Sequence, residues 1–340
     1  MSLGVKYRPK KWEDVVGQDT TVEILRKQVQ QHNFKNAYLF TGITGTGKTT
    51  LARIFANEIN KGMGVPIEID SASNNSVDNV RNIVAQSKER SLDSEYKIFI
   101  LDEAHLFSNQ AWNAFLKTIE EPSPYTIFMF CTTEVQKVPE MIKNRCQQFK
   151  LNRISNKKIL DRLKYICYNE GVDYQEESLD YIAKLSDGSL RTSISYLEKC
   201  LDYSNNVSMD CVVSALGNYS FNLFLALTNA LINKDKETTL DVIEKCYDRG
   251  SDLKQFIDQY LIFILDCSKY CLFKSLDSTK IPLTLLDDIQ YLTDNGNNVK
   301  YFVWLQDKLL DIKNLIKYDI QPKTTIEISL LGVIGNDQYL

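Results

Sequence analysis

At roughly 150 residues per domain, 340 residues are too many for one ordinary domain and suit two or three. Apolar side chains make up 44% and charged ones 25%, enough for several buried cores, which excludes wholesale disorder. A net charge of −4, from 40 Lys and Arg against 44 Asp and Glu, excludes a generally basic nucleic-acid coat but not a local basic face.

Residues 1–61 lean basic, so a polyanion is expected to meet the N-terminal part. The start of the chain carries Lys6, Arg8, Lys10 and Lys11 and no apolar stretch, so no secretory signal is expected. No segment approaches the roughly 18 apolar residues of a membrane span, and a cytoplasmic protein without a membrane partner is expected. All eight cysteines follow residue 130, with no C-x-x-C pair, and only two His are present. Buried free thiols and no zinc site are expected.

Taken in chain order, apolar spacing predicts a helix over 21–31, then alternating strands and helices. Strands are expected at 37–41, 67–70, 97–101, 126–131 and 147–151. Helices are expected at 48–61, 76–90 and 109–120. Short apolar strands alternating with helices predict a parallel sheet covered on both faces. After Leu151 the strand signals stop. Helices are expected at 155–169, 176–186, 190–203 and 209–216, then longer ones at 221–233, 236–249, 253–273, 282–293, 300–318 and 324–332. The helix 253–273 is apolar nearly all round and so needs partners on more than one side.

Gly42-Ile43-Thr44-Gly45-Thr46-Gly47-Lys48-Thr49 fits G-x-x-x-x-G-K-[ST] between a predicted strand and a predicted helix. Glycines at these positions let backbone N–H groups turn inward around phosphates at a helix N-terminus. Lys48 suits the β and γ phosphates, and the Thr49 hydroxyl suits Mg²⁺. Thr50 continues the helix start. Lys97–Leu101 runs into Asp102 and Glu103, two acids at the end of a strand. Asp102 suits the Mg²⁺ shell and Glu103 the polarising of an attacking water. Thr132 and Thr133 end the next strand, where a hydroxyl could reach the γ-phosphate or that water.

Further motifs appear in order: Tyr7-Arg8-Pro9, Trp12 to Gln18, Glu68 to Asn75, Leu101-Asp102-Glu103-Ala104-His105, Leu116 to Pro122, Cys131 to Glu134, Arg145-Cys146 and Gly188-Ser189-Leu190-Arg191. Together with the P-loop they resemble the bacterial DNA polymerase III gamma/tau family, ATPases of the sliding-clamp loader. The match is dense over residues 5–200 and a helical pattern thereafter.

The resemblance implies an α/β P-loop AAA+ ATPase domain with a parallel sheet over 1–152, a helical lid over 153–216 and an all-α collar over 217–340. It implies ATP and Mg²⁺ as cofactors. It places Arg8, Pro9, Val15 and Val16 at the adenine, with Gly42, Gly45, Thr46, Gly47, Lys48, Thr49 and Thr50 around the phosphates. Thr133 and Arg191 would sense the γ-phosphate, and Arg145 would be a finger reaching into a neighbour's site. A surface ion pair is the commoner role for a lone Arg, so these roles rest on the resemblance. Ser73, Asn74, Asn75 and Arg81 would face primed DNA. The implied partners are a sliding clamp, primed DNA and other loader subunits in a pentameric ring. Another AAA+ DNA motor of branch-migration type and a non-hydrolysing stator subunit are the alternatives.

Two departures stand out. Where the family carries a four-cysteine zinc module, this chain has only residues 60–66, and the family's Ser-Arg-Cys is Asn144-Arg145-Cys146. The chain stops where the collar would end, which implies the short, gamma-like form.

Overall fold

The computed structural model describes residues 2–248, 250, 252–276, 278–294 and 299–335. Two helices, α1 (Leu3–Lys6) and α2 (Asp19–Gln30), precede an alternating segment. It runs β1 (Ala37–Thr41), α3 (Lys48–Ile59), β2 (Ile67–Asp70), α4 (Val77–Gln86), β3 (Lys97–Asp102), α5 (Asn109–Glu120), β4 (Thr126–Thr132), α6 (Glu140–Lys143), β5 (Gln147–Lys150) and α7 (Asn156–Glu170).

The five strands form the expected parallel sheet, in the order β2-β3-β4-β1-β5. Every residue of β1 and β4 is buried, which is why these strands read as unbroken apolar runs. Their side chains alternate between two cores. Tyr38 and Phe40 join Leu51, Ile54 and Phe55 of α3 on one face. Ala37 and Leu39 join Phe99, Phe128, Phe130, Trp112 and Phe115 on the other. There Phe99 stacks on Phe128 at 5.3 Å, and Phe115 meets Phe130 edge-on at 5.5 Å. Each such fully buried side chain contributes about 1.5–3 kcal/mol by burial.

Ser76 and Ser108 cap α4 and α5 by accepting from the backbone N–H of Asn79 and Ala111, both at 3.2 Å. Helix α4 ends at Gln86, short of the expected 90. Ser87 turns its hydroxyl onto Val84 O at 2.8 Å, a local bond that competes with helix continuation, and the Arg90 guanidinium lies over the Tyr125 ring at 3.8 Å. Strands β3 and β4 each run one residue further than expected, so Asp102 and Thr132 are strand residues.

The chain continues through β6 (Asp173–Tyr174), α8 (Glu176–Leu185), α9 (Leu190–Tyr203), β7 (Asn206–Val207), α10 (Met209–Leu216), α11 (Phe221–Ile232), α12 (Lys236–Asp248), α13 (Leu253–Phe273), α14 (Leu286–Asp294), α15 (Val299–Ile316) and α16 (Pro322–Gly335). Strands β6 and β7 pair in parallel through two residues each, a pairing the sequence did not announce because two residues carry no periodicity. Before α14, Leu283–Leu285 forms a 3-10 turn after Pro282 where a continuous helix was expected. Arg249, the expected end of the helix from Lys236, lies outside the described residues.

Two compact units result. One comprises Met1–Glu170 with Ser186–Glu198; the other comprises Gly171–Leu185 with Lys199–Leu340. The stretch 153–216 therefore contributes to both. In the second unit Phe224 of α11 packs with Phe256, Tyr260 and Phe263 of α13. Helix α13 buries residues on several faces and still leaves Leu272 and Phe273 about two-thirds exposed. Seven cysteines are buried and Cys271 is half-buried, all as free thiols. Among the described residues no single helix is long and apolar enough to cross a membrane.

Candidate active site

The P-loop leaves the buried end of β1 and enters α3 at Lys48. Gly45 adopts φ +78°, and a Cβ there would lie 2.1 Å from Ser189 Oγ and 2.9 Å from Arg191 Cβ. The loop therefore rests directly on the start of α9, whose Leu190 N–H donates to Gly45 O at 3.2 Å. Gly47, the N-cap of α3, has φ +100° and open space where a Cβ would stand. That open side is where a phosphate could approach the backbone.

Lys48 is buried, and its Nζ donates to Gly42 O at 3.0 Å and Ile43 O at 3.1 Å. Burial lowers its pKa, against the opposing charges of Glu103 and Asp102. An incoming anion would restore the charge partner that two carbonyl oxygens supply only in part. Cys131 lies beneath, and its burial pushes the thiol pKa well up, so it is no nucleophile.

Strand order does the rest. β4 lies between β1 and β3, so three C-terminal strand ends stand side by side. Thr49 Oγ1 donates to Asp102 Oδ2 at 2.8 Å. A hydroxyl and a carboxylate oxygen so placed match the hard donor set of Mg²⁺, which takes one or two carboxylates and completes its shell with phosphate and water. Glu103 N donates to Asp102 Oδ1 at 3.0 Å. Glu103 itself sits in the left-handed region, φ +48° and ψ +43°, an uncommon conformation for a non-glycine residue. Thr133 Oγ1 donates to Glu103 Oε2 at 3.3 Å.

Lys48, Thr49, Asp102 and Glu103 border a cleft of about 340 Å³; Thr133, expected at the γ-phosphate, does not line it and reaches it through Glu103. Of the residues expected at the nucleotide, Arg8, Pro9, Val15, Val16, Gly45, Thr46, Gly47, Lys48, Thr49, Thr50 and Arg191 all line it, with Asp102 and Glu103; Gly42 does not. Burial, with the guanidinium groups of Arg53 and Arg191 nearby, lowers the Arg8 pKa.

Three neighbours of the cleft were not read from the sequence as functional. Arg53, on α3, lines the cleft and forks onto Glu68 of β2, with Nε 2.7 Å from Oε1 and Nη2 2.5 Å from Oε2. Gln18 is buried and ties the N-terminal segment to the end of the sheet, donating to Asn152 O at 2.8 Å and accepting from Asn152 N at 3.2 Å. His105 lies against Glu103. Gln18 and His105 stand inside quoted motifs, which was the available signal; Arg53 had none.

The remaining expected residues lie elsewhere. Ser73, Asn74 and Asn75 lie in the segment between β2 and α4, where Ser73 Oγ and Asn74 Nδ2 donate to Asp70 O at 3.2 and 3.0 Å. Arg81 is exposed on α4 and pairs with Asp78 at 3.1 Å. Arg145 follows α6 and does not line the cleft; it pairs with Glu120. Among the described residues no three His, Cys, Asp or Glu side chains gather to hold a metal ion.

Comparison with known proteins gives a consistent set of relatives. A family model described as DNA polymerase III, delta subunit matches residues 64–155. DNA polymerase III subunit gamma of Buchnera aphidicola subsp. Acyrthosiphon pisum is 30% identical, covering 98% of each chain. Subunit tau of Bacillus subtilis is 34% identical over 78% of this chain and 51% of its own length. Subunit gamma/tau of Mycoplasma genitalium is 31% identical over 81% of this chain and 50% of its own. The chain thus spans about half the length of the latter two relatives. Among solved structures, the RuvB Holliday junction branch migration motor of Thermotoga maritima aligns with a TM-score of 0.53 over 72% of this chain and 86% of that one, at 19% identity, a likeness of fold.

Proposed function

The chain belongs to the DNA polymerase III gamma/tau family, and on that premise we propose that it is an ATP-hydrolysing motor subunit of a sliding-clamp loader. The observation that carries this reading is the row of strand ends beside the P-loop, where Thr49, Asp102, Glu103 and Thr133 are joined by hydrogen bonds.

In this reading Arg8, Pro9, Val15 and Val16 hold the adenine, and Lys48 turns from its two carbonyls to the β and γ phosphates. Thr49 and Asp102 hold Mg²⁺, which when bound neutralises charge on the phosphate oxygens. Glu103 orients and polarises a water in line with the γ-phosphate. Thr133 steadies Glu103, and Arg191, at the start of α9, meets the γ-phosphate from the other side of the loop. Arg145 serves the site of an adjacent subunit. Ser73, Asn74, Asn75 and Arg81 meet the phosphates of primed DNA, a contact of weak sequence dependence.

Residues 1–152, 153–216 and 217–340 then act as ATPase, lid and collar domains, the collar joining this chain to other subunits of a pentameric ring in the cytoplasm. ATP binding closes the ring around an opened clamp; primed DNA triggers hydrolysis and release. Steady-state ATP turnover by the full chain, assembled with its loader partners, tests the reading. Turnover should rise when primed DNA and clamp are added together. A rate that ignores both, or that responds to four-way junctions instead, refutes it.

A further inference from the structure

His105 lies in the single 3-10 turn Ala104–Leu106 that follows Glu103. Its side chain is 9% exposed, and both ring nitrogens are engaged. Nδ1 lies 3.4 Å from Glu103 Oε2 and 3.2 Å from Thr132 Oγ1, while Nε2 lies 3.3 Å from Glu134 Oε1. The Thr132 hydroxyl oxygen also accepts from Glu134 N at 3.1 Å, and Lys137 Nζ sits 3.0 Å from Glu134 Oε1. One imidazole thus lies between the carboxylates that follow the adjacent strands β3 and β4, its Nδ1 hydrogen-bonded to the Thr132 hydroxyl.

The arrangement is asymmetric at Glu103. Its Oε2 meets both His105 and Thr133, whereas among the described residues Oε1 makes no hydrogen bond, and Glu103 lines the cleft. A left-handed non-glycine backbone costs about 1–3 kcal/mol and persists where the surroundings over-determine it. Here the turn, the ring and the Thr133 hydroxyl supply that over-determination.

We propose that His105 is a positioning residue for ATP hydrolysis. With Thr133 it holds Glu103 Oε2, so that the carboxylate points its other oxygen at the attacking water. Glu134 acts from behind, fixing the plane of the ring. The proposal rests on Glu103 being the group that polarises water. A displacement of about 1 Å in such a group costs up to about 10²-fold in rate, which sets the scale expected of His105.

The test uses the full chain in its loader assembly, with ATP, clamp and primed DNA. His105→Ala should lower kcat by about 10- to 100-fold while the ATP dissociation constant stays within about twofold. His105→Gln, which keeps a side-chain donor, should recover the rate to within about threefold of the parent. Glu134→Gln should slow the parent severalfold yet change His105→Ala by less than about twofold, since both act through one carboxylate. Turnover in His105→Ala within twofold of the parent overturns the proposal. So does a parallel loss of ATP affinity and melting temperature that Gln fails to restore, which marks a packing role. If His105→Ala does not fold, a parental rate in Glu134→Gln overturns it instead. A parent chain without ATP turnover, or an unimpaired Glu103→Gln, removes the hydrolytic reading and this one with it; activity lost in Glu103→Gln but kept in His105→Ala removes only this one.

Discussion

Arg145 is held within its own chain by Glu120, with Nη2 2.5 Å from Oε1, while its Nη1 donates to Met141 O at 2.9 Å. The two side chains are 35% and 42% exposed. A pair so open to water is worth about 0–1 kcal/mol, so the guanidinium can leave it at little cost. The fork geometry that suits a carboxylate also suits a phosphate.

In the proposed reading, an Arg145 held this loosely acts in trans. Arg145→Ala is expected to keep ATP affinity in the isolated subunit and to lose the turnover stimulated by DNA and clamp in the assembly. Arginines supplied across an interface are worth roughly 10³–10⁵ in comparable NTPases. Mixing Arg145→Ala subunits with Lys48→Ala subunits, which retain the arginine, should restore part of the rate. Mixed rings that form but stay inactive would make Arg145 a structural residue of the segment between α6 and β5.

Lys48 and Glu103 should separate binding from turnover. Lys48→Ala removes the buried cation of the loop and is expected to abolish nucleotide binding in a titration with a fluorescent ATP analogue. Glu103→Gln keeps the size and polarity of the side chain and should bind ATP normally but turn over about 10²-fold more slowly or worse. An unchanged steady-state rate in Glu103→Gln would take that carboxylate out of the mechanism.

Gly45→Ala should damage the site without touching a charge. The new methyl would meet Ser189 Oγ at 2.1 Å, and that oxygen is already committed to Thr192, 2.7 Å from its Oγ1 and 3.2 Å from its N. The positive φ adds about 1–3 kcal/mol of backbone strain. We expect a melting temperature lower by several degrees and ATP affinity weakened about tenfold or more. Parental values for both would mean that the loop and the start of α9 yield freely.

If α4 faces DNA, removing Arg81 should lower the slope of log affinity against log salt by about one. Its pairing with Asp78 is no obstacle, because the side chains are 70% and 86% exposed. A slope identical to the parent's would place this helix away from the phosphates.

Much of this site was legible in the sequence because its central device is local. The phosphate cradle proposed here is built from consecutive backbone amides of Gly42 to Lys48, so strand, glycines, lysine and helix stand next to one another in the chain. The same holds for the apolar runs of β1 and β4, whose burial on both faces shows in composition alone. The two-residue pairing of β6 with β7 shows the lower limit of such reading, since an element shorter than its own period leaves no pattern.

What the tertiary structure alone decided is which distant residues meet. Thr49 and Asp102 are 53 positions apart, and their 2.8 Å bond exists because β4 inserts between β1 and β3 and brings three strand ends into line. Arg53 finds Glu68 only across the sheet edge, Gln18 finds Asn152 across 134 positions, and Arg145 finds Glu120 from the far side of β4. His105 belongs with these: its motif neighbours were visible, but not Glu134 on its other nitrogen. Residue type and spacing determine a backbone's local preferences, whereas the partners of a long side chain depend on strand order, and in a parallel sheet neighbouring strands are joined by crossovers too long for any sequence window to span.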